Sequence, residues 1–588
     1  MSNGKGDFLN NLGKIYGFYT GGFIAFVIVL GILEQVGVPN RIIGYLFVFM
    51  TIAVYAVIGI LSRTSKVTEY YVAGRMVPAV FNGMATGSDW MSGASFVGMA
   101  GTLYLLGYDG LAFVLGWTGG YVLVAVLLAP YLRKFGSYTV PDFLGTRYGG
   151  NVARSIGILV LFFCSFTYVT AQIYATGIIA SRFLGIPFHI AVFVGLLGIL
   201  LCSMLGGMRA VTWTQVAQYI ILIIAYMLPA VIMSTSITGI PIPQLTYGTI
   251  LQQIGEFEAQ YGIAKAHALP FTTYNPLNFF ALIFCLMLGT AALPHILMRY
   301  FTTPSVREAR KSVGWSLFFI FLLYFTAPAY AAFAKYEVLA NLIGNAITDM
   351  PRWVRVWGEI GLVKITDMNG DGLLQWAELW INRDVVVLAT PEIAGMPYVI
   401  SGLVAAGGLA AALSTADGLL LAIANALSHD IYYRMVNPMA DTKRRLVIAR
   451  TLLVIVAVFA AWLASTKPAD ILSMVAWAFS IAASGLFPAL VLGVWWKRAN
   501  TPGACWGMFA GFAVCMIYLV GTRYLGMDLW FGVANISAGL FGIPVGFIVM
   551  YVVSKMTAPP SQQMQDFVDQ LRQPKGGSMS AELDAASA

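Results

Sequence analysis

Charged side chains are scarce. Asp, Glu, Lys and Arg make up 10% of the 588 residues, against about 25% in an ordinary soluble domain. So few charges cannot solvate the surface of a chain that is 59% hydrophobic. A soluble globular protein is thereby excluded, and an all-α polytopic membrane protein is implied. Only four histidines are present, His189, His267, His295 and His429, and they are dispersed. With no Gly-rich phosphate loop or nucleophile triad either, no enzyme is expected. Cys164, Cys202, Cys285, Cys505 and Cys515 all fall inside apolar segments without CxxC or Cys/His spacing. Neither disulfides nor thiolate metal sites are expected. The net charge of +8 comes from basic residues scattered through short loops, so no nucleic-acid partner is expected.

What the chain has is long apolar runs. Those near 17–36, 41–62, 79–106, 112–132, 153–183, 188–206, 214–236, 274–298, 312–338, 394–428, 446–466, 469–496, 502–521 and 529–554 predict about fourteen transmembrane helices. The leading segment MSNGKGDFLNNLGK has no small-residue cleavage site after it, so the first helix is expected to be retained. With the N-terminus inside, most Lys and Arg fall on the cytoplasmic side, including Arg133, Lys134, Arg299, Arg307, Arg310, Lys443, Arg444 and Arg445. An even number of helices returns the C-terminus to the cytoplasm. The expected organisation is an N-terminal tail with two flanking helices (1–78), a transport core (79–496) containing an external loop (339–393), two C-terminal helices (497–555) and a disordered cytoplasmic tail (556–588).

Two apolar stretches carry a carboxylate, Asp89 in GMATGSDWMSGASFVG and Asp417 in AAGGLAAALSTADGLLLAI. A charge at bilayer depth is costly, so such a residue faces a cavity, a partner or an ion. Both stretches are rich in Gly, Ala, Ser and Thr, which let helices approach closely and leave oxygens free for a small cation. Segment 79–106 is interrupted by Gly87, Gly93, Gly98 and Gly101; five spans later, segment 274–298 is interrupted by Gly289, Thr290 and Pro294. Broken helices at matching positions of two five-helix halves, running in opposite directions, point to an inverted (5+5) repeat with a binding site at the midplane.

The stretches DWMSGASFVGMAG, GYDGLAFVLGW, GGMRAVTWTQ, GTAALPHILMRYFTTPSVREARKS and LAAALSTADGLLLAIANALSHDIY resemble the sodium:solute symporter family, nearest to its acetate and monocarboxylate permease branch, over about residues 45–550. The resemblance implies a LeuT-type fold and a secondary active transporter. It also implies a sodium ion between the first and eighth core helices, held by the carbonyls of Ser88, Met91 and Ala411 and the hydroxyls of Ser414 and Thr415. Ala411, Ser414 and Thr415 are spaced to line one helix face; the bland reading is that the two hydroxyls bond back to the preceding turn. Some family members bind a further sodium through an Asp in a WTD motif, where this chain has Trp213-Thr214-Gln215. Three roles are open for Asp417: a second cation ligand, a proton carrier, or a structural partner of an amide such as Gln215. Asp89 either orients the unwound backbone or pairs with a cation. The extra helix 17–36 departs from the family pattern and is assigned no transport role. Relatives in this branch are often accompanied by a small membrane subunit.

For the solute, the amides from Ser92 to Ser95 beyond the first break offer a helix N-terminus to a carboxylate. Trp90, Tyr168, Gln172, Thr290 and His295 are the candidate companions. No intramembrane arginine is expected to offer a fork, which suits a small monoanion of the acetate, pyruvate or lactate type; the alternative is sodium- or proton-coupled symport of a small amino acid or other organic solute. The partners are then a small organic anion and membrane lipid, in a bacterial inner membrane. A channel would need charged rings or filter loops, and none is evident. A transporter-like sensor would need a longer tail than about 33 residues. His429-Asp430 reads as a helix cap.

In the external loop, ITDMNGDGLLQWAELW places Asp367, Asn369, Asp371, Leu373 (carbonyl), Gln375 and Glu378 at positions 1, 3, 5, 7, 9 and 12 of an EF-hand, with Gly372 at position 6. Calcium is expected there, with a structural role; the alternative is an acidic turn without metal.

Overall fold

Glycine and proline punctuate the helices, and those interruptions position the site. The computed structural model describes residues 8–573 and Met579, without the side chains of Leu201, Cys202 and Leu205. The helices used below are α1 (Leu12–Gln35), α2 (Asn40–Leu61), α3 (Ala79–Trp90), α4 (Met99–Leu106), α5 (Leu111–Leu123), α6 (Val140–Tyr148), α7 (Asn151–Leu184), α8 (Phe188–Thr238), α9 (Pro276–Thr290), α10 (Pro294–Met298) and α11 (Val306–Asn341). Then follow α12 (Arg352–Glu359), strands β1 (Val363–Ile365) and β2 (Leu379–Ile381), α13 (Val386–Ile393), α14 (Tyr398–Asn425), α15 (Thr442–Ser465), α16 (Ile471–Gly485), α17 (Phe487–Trp495), α18 (Thr501–Tyr524), α19 (Gly539–Met556) and α20 (Gln562–Arg572).

Among the described residues eleven helices are long and apolar enough to span a bilayer, or twelve with the α16–α17 pair, which bends by 40°. The fourteen expected from the sequence differ from this count at two places. The stretch 94–135 counts once by composition, yet 42 residues of straight helix would reach about 63 Å, twice a hydrocarbon core of about 30 Å. It is broken at Gly107 (φ 56°, ψ −128°). In α8, likewise, the helix breaks at Gly207 (φ 55°, ψ −142°), a conformation open to glycine alone.

Both expected helix breaks are present. α3 ends at Trp90, Met91 leaves helical geometry (φ −76°, ψ 66°), and the chain resumes as a wide turn over 94–98 before α4. The second break lies between α9 and α10, where Leu293 is extended (φ −67°, ψ 119°) ahead of Pro294. The proline ring excludes a helical predecessor and removes a donor.

α14 is the axis of the bundle, buried along its whole length from Val399 to Asn425. A helix that is apolar all round belongs at the centre. Its glycines admit neighbours closely: a Cβ on Gly408 would meet Ile179 of α7 at 2.8 Å, and Gly402 and Gly407 lie against Phe47 of α2 and Ala225 of α8.

Cys164, Cys285, Cys505 and Cys515 are free thiols; the expectation for Cys202 falls outside the described residues. The tail expected to be disordered over 556–588 instead forms α20, which buries Phe567, Val568 and Leu571. Phe567 packs on Phe135 with ring centroids 5.8 Å apart, and Lys497 pairs with Asp569 at 3.0 Å. The apolar spacing there is that of a short amphipathic helix, masked in the sequence by its polar surroundings. The remainder, 574–578 and 580–588, lies outside the described residues, as does 1–7.

His429 and Asp430 are not a helix cap. They lie buried in the wide-turn continuation of α14 over 426–436, where Thr139 donates to Asp430 at 2.6 Å. Arg154 sits 3.4 Å from Asp142 and 3.6 Å from Asp430, and Arg445 is 3.2 Å from His429 Nδ1.

Candidate ion and solute site

The unwound end of α3 faces the middle of α14. Ser414 Oγ donates to the Ser88 carbonyl at 2.8 Å and lies 2.9 Å from the Ala411 carbonyl. Thr415 Oγ1 donates to the Asp89 carbonyl at 2.8 Å and lies 3.3 Å from Ala411 O. Both hydroxyls therefore do more than bond back to their own helix. The structure brings Ser88, Ala411, Ser414 and Thr415 together, with Met91 on the adjoining unwound turn. It adds the Asp89 carbonyl, which no residue pattern singles out. Helix ends leave carbonyls without intrahelical partners. The carbonyls of Ser88, Asp89 and Ala411 and the hydroxyls of Ser414 and Thr415, with the Met91 carbonyl on the adjoining turn, are neutral oxygens on two buried segments that can surround a small hard cation.

Asp89 is fully buried and takes a charge-assisted bond from Arg299 Nε to Oδ2 at 2.8 Å, the arginine being equally buried. Arg299 Nη1 also reaches Thr212 at 3.2 Å. The expectation that no arginine lies within the bundle is overturned here. A linear reading puts Arg299 in a cytoplasmic loop, but the helix break before α10 shortens that segment and leaves the guanidinium inside. The cation that Asp89 pairs with is thus part of the chain.

Asp417, two residues beyond Thr415, accepts from Ser203 at Oδ1, and its Oδ2 has no partner. Gln215 does not pair with it: the amide Nε2 donates to the Ser414 carbonyl at 2.7 Å. Gly418 stands directly against the Asp89 carboxylate, so the two acids occupy neighbouring positions.

The expected solute residues are all buried, and they divide into two groups. Gln172 Oε1 accepts from Gly93 N at 2.7 Å, pinning the unwound turn, while its Nε2 has no partner. A Cβ on Gly93 would lie 2.8 Å from Ala175, so glycine is required for that approach. His295 has no hydrogen-bond partner on either ring nitrogen and stands edge-on to Tyr168, ring centroids 5.5 Å apart. Trp90 packs between Tyr121 at 5.6 Å and Phe479 at 5.7 Å, with its indole N–H unpaired. Trp90 and Tyr168 both pack on Phe479, His295 stands against Tyr168, and Gln172 lies one turn along α7 from Tyr168.

The second group already has hydrogen-bond partners within the protein. Thr290 returns its hydroxyl to Leu286 O at 2.7 Å. Ser95 bonds Tyr324 Oη at 2.9 Å, and Ser92 Oγ receives the Ser95 amide at 3.4 Å. Phe479, Tyr121, Trp117 and Tyr324 complete an aromatic wall. An aromatic in an apolar run carries no sequence signal that separates wall from core, so these were missed.

In the segment between α11 and α14, the five side chains expected to hold calcium lie between β1 and β2, an antiparallel pair with Lys364 opposite Trp380. Strands, not helices, flank this loop. Asp371 Oδ2 receives Asn369 Nδ2 at 2.8 Å and Gln375 Nε2 at 2.7 Å. Asp367 receives the amides of Gly370 at 2.7 Å and Gly372 at 3.1 Å, and both glycines have positive φ, 74° and 72°. Glu378 receives Met368 N at 2.7 Å and Gln375 N at 3.0 Å.

The sequence profile described as "Sodium:solute symporter family" matches residues 70–351 and 383–511. A protein of Cupriavidus necator, described only as an uncharacterized symporter, is 44% identical, the match covering 97% of this chain and all of that one. A Na+-coupled sialic acid symporter, solved substrate-bound and outward-open, superposes with a TM-score of 0.69 at 19% identity, covering 88% of this chain and 99% of that one. Mhp1, a nucleobase-cation-symport-1 family transporter, has a TM-score of 0.43 at 12% identity, covering 85% and 98%. With the family profile matching most of the chain and a symporter relative 44% identical over nearly all of it, the chain belongs to the sodium:solute symporter family and is a sodium-coupled transporter rather than an enzyme.

Proposed function

We propose that the chain carries a small monocarboxylate, of the acetate, pyruvate or lactate class, into the cell together with sodium by alternating access. It would do so in the bacterial inner membrane with both termini cytoplasmic. One observation carries the reading: two adjacent hydroxyls on α14 meet two carbonyls freed by the unwinding of α3. In this proposal sodium takes the carbonyl oxygens of Ser88, Met91 and Ala411 and the hydroxyl oxygens of Ser414 and Thr415, whose protons turn away as the ion enters. The solute carboxylate lies against the unpaired Gln172 amide, His295 and the Trp90 indole N–H, and its short apolar body lies on Tyr168 and Phe479. Support for a monoanion comes from Arg299, whose charge is already committed to Asp89. A dicarboxylate would need a free cation.

The test is uptake of labelled acetate, pyruvate, lactate and alanine into proteoliposomes, in sodium and in choline. Uptake of a monocarboxylate that depends on sodium, and is lost in Ser414→Ala/Thr415→Ala, is the expected result. Undiminished uptake in choline or in that variant would overturn the sodium site, and uptake of alanine alone would transfer the solute assignment to amino acids. A small membrane accessory subunit belongs to the same reading, and co-purification from native membranes would reveal it.

The second part of the proposal is calcium in the external loop. What favours it is the spacing: Asp367, Asn369, Asp371, Gln375 and Glu378 stand at EF-hand positions on a loop whose two glycines supply the tight turns, and Asp371 bonds both Asn369 and Gln375. Amide ends of Asn369 and Gln375 interchange N and O by a flip, so both can present oxygen. Calcium would stiffen a segment otherwise held by one short strand pair and by backbone bonds of Gly372 and Leu374 to residues 344–347. Protease resistance of the loop should rise with millimolar calcium and be unaffected by calcium in Glu378→Gln; no protection in the parent protein would dismiss the site.

A further inference from the structure

Helix α1 is mostly turned outward: only Leu12, Tyr16 and Leu30 are buried. A helix anchored by lipid alone needs no inward polar bonds, yet three of its side chains make them. Near its start, Tyr16 Oη donates to the Trp213 carbonyl at 2.8 Å, and Tyr19 Oη, one turn on, donates to the Ala217 carbonyl at 3.3 Å. Those carbonyls flank Gln215 on the second half of α8. The Tyr16 ring also packs on Phe81 of α3, centroids 5.8 Å apart. Near its end, Glu34 accepts from two backbone amides at the start of α14, Tyr398 N at 2.7 Å and Val399 N at 2.8 Å.

The last contact fills a gap in α14 itself. Its N-cap is Pro397, which supplies no capping side chain, and the first turn of any helix has donors without intrahelical partners. A carboxylate at that end satisfies two of them and complements the helix dipole. Here the cap comes from 364 residues away in sequence. Tyr16 and Glu34 are separated by about 27 Å of helix, so the two ties act at opposite ends of the bundle.

The helices tied are those that build the proposed sodium site. α14 carries Ala411, Ser414 and Thr415, α3 carries Ser88, and α8 carries Gln215, whose amide holds the Ser414 carbonyl at 2.7 Å. That bond requires a fixed axial offset between α8 and α14. We propose that α1, which was assigned no transport role on sequence, is a clamp that fixes this offset. Tyr16, Tyr19 and Glu34 are then positioning residues for sodium capture. The inference rests on the sodium-site reading above.

Two variants act on opposite ends of the clamp. Glu34→Ala removes the cap, and Tyr16→Phe/Tyr19→Phe removes two hydroxyls while keeping the rings. The measurement is the unfolding temperature of purified protein titrated with sodium chloride, with choline chloride as the reference. In each variant that folds, the sodium concentration giving half the maximal shift should rise at least threefold. Glu34→Gln, which keeps one acceptor oxygen, should fall between parent and Glu34→Ala. A merely structural role would lower the unfolding temperature equally in both salts and leave the half-maximal sodium concentration at the parent value. That outcome in either variant overturns the clamp, and if Glu34→Ala does not fold the tyrosine pair decides. Ser414→Ala/Thr415→Ala is run alongside. If it keeps the parent's sodium response, the site reading fails first; if it loses the response while the clamp variants keep theirs, only the clamp is wrong.

Discussion

Arg299 Nε lies 2.8 Å from Asp89 Oδ2, and neither side chain is exposed to solvent. The pair joins the unwound end of α3 to the segment after α10, so it ties one helix break to the other. Removing one member strands the other as a buried uncompensated charge, an effect of about 3–5 kcal/mol. Asp89→Asn and Arg299→Gln should each lower the unfolding temperature sharply, whereas Asp89→Asn/Arg299→Gln should recover much of the loss. A double variant no better than the worse single one would show that the pair is not what holds these residues. Because the Asp89 carbonyl also meets Thr415, the single variants should weaken sodium binding as well.

His295 is the one histidine that combines full burial with two unpaired ring nitrogens beside the aromatic wall. A site built to hydrogen-bond a solute loses heavily when the donor goes. His295→Ala should raise the half-saturating monocarboxylate concentration more than tenfold at saturating sodium. In the same preparation Thr290→Ala should change it less than threefold, since that hydroxyl is spent on Leu286. Solute affinity unchanged in His295→Ala would remove this residue from the site.

Much of this was legible because it follows from chain chemistry. Apolar runs of spanning length, Gly and Pro at the two breaks, and a Ser-Thr pair one turn after Ala411 are local features. Contacts between remote segments were not legible. Arg299 reads as a cytoplasmic charge in a linear scan, and only the fold brings it beside Asp89. Glu34 reads as the end of an outer helix, and nothing local says that it caps α14. The tail helix α20 was hidden for another reason: three apolar residues in a polar stretch are too few to stand out until Phe135 supplies their partner.

Asp384 lies outside the spanning helices, between β2 and α13, and is fully buried. Its Oδ2 accepts from Ile471 N at 3.2 Å. Burial, and then the nearby charge of Asp470, push its carboxyl up to about 7. A carboxyl whose folded value lies above its unfolded value binds more protons in the folded protein. It therefore favours the folded state at low pH, and that contribution falls away between about pH 4 and 7. The unfolding temperature should drop as pH rises through this window. Asp384→Asn, uncharged throughout, should flatten the dependence; an unaltered slope would place its origin in another group.

Charge bookkeeping makes the role of Asp417 measurable. One sodium moving with one monoanion carries no net charge, and the Asp89–Arg299 pair is neutral by itself. Asp417 has one oxygen occupied by Ser203 and one without a partner, which leaves room for a second cation or a proton to travel with the solute. Either would make uptake electrogenic, and one unit charge crossing 100 mV is worth about 2.3 kcal/mol, close to fiftyfold in accumulation. Uptake into proteoliposomes should therefore rise when a potassium diffusion potential makes the interior negative. Asp417→Asn should transport without that stimulation. If the variant keeps the parent's full response to potential, the second charge crosses elsewhere and Asp417 is a structural partner of Ser203.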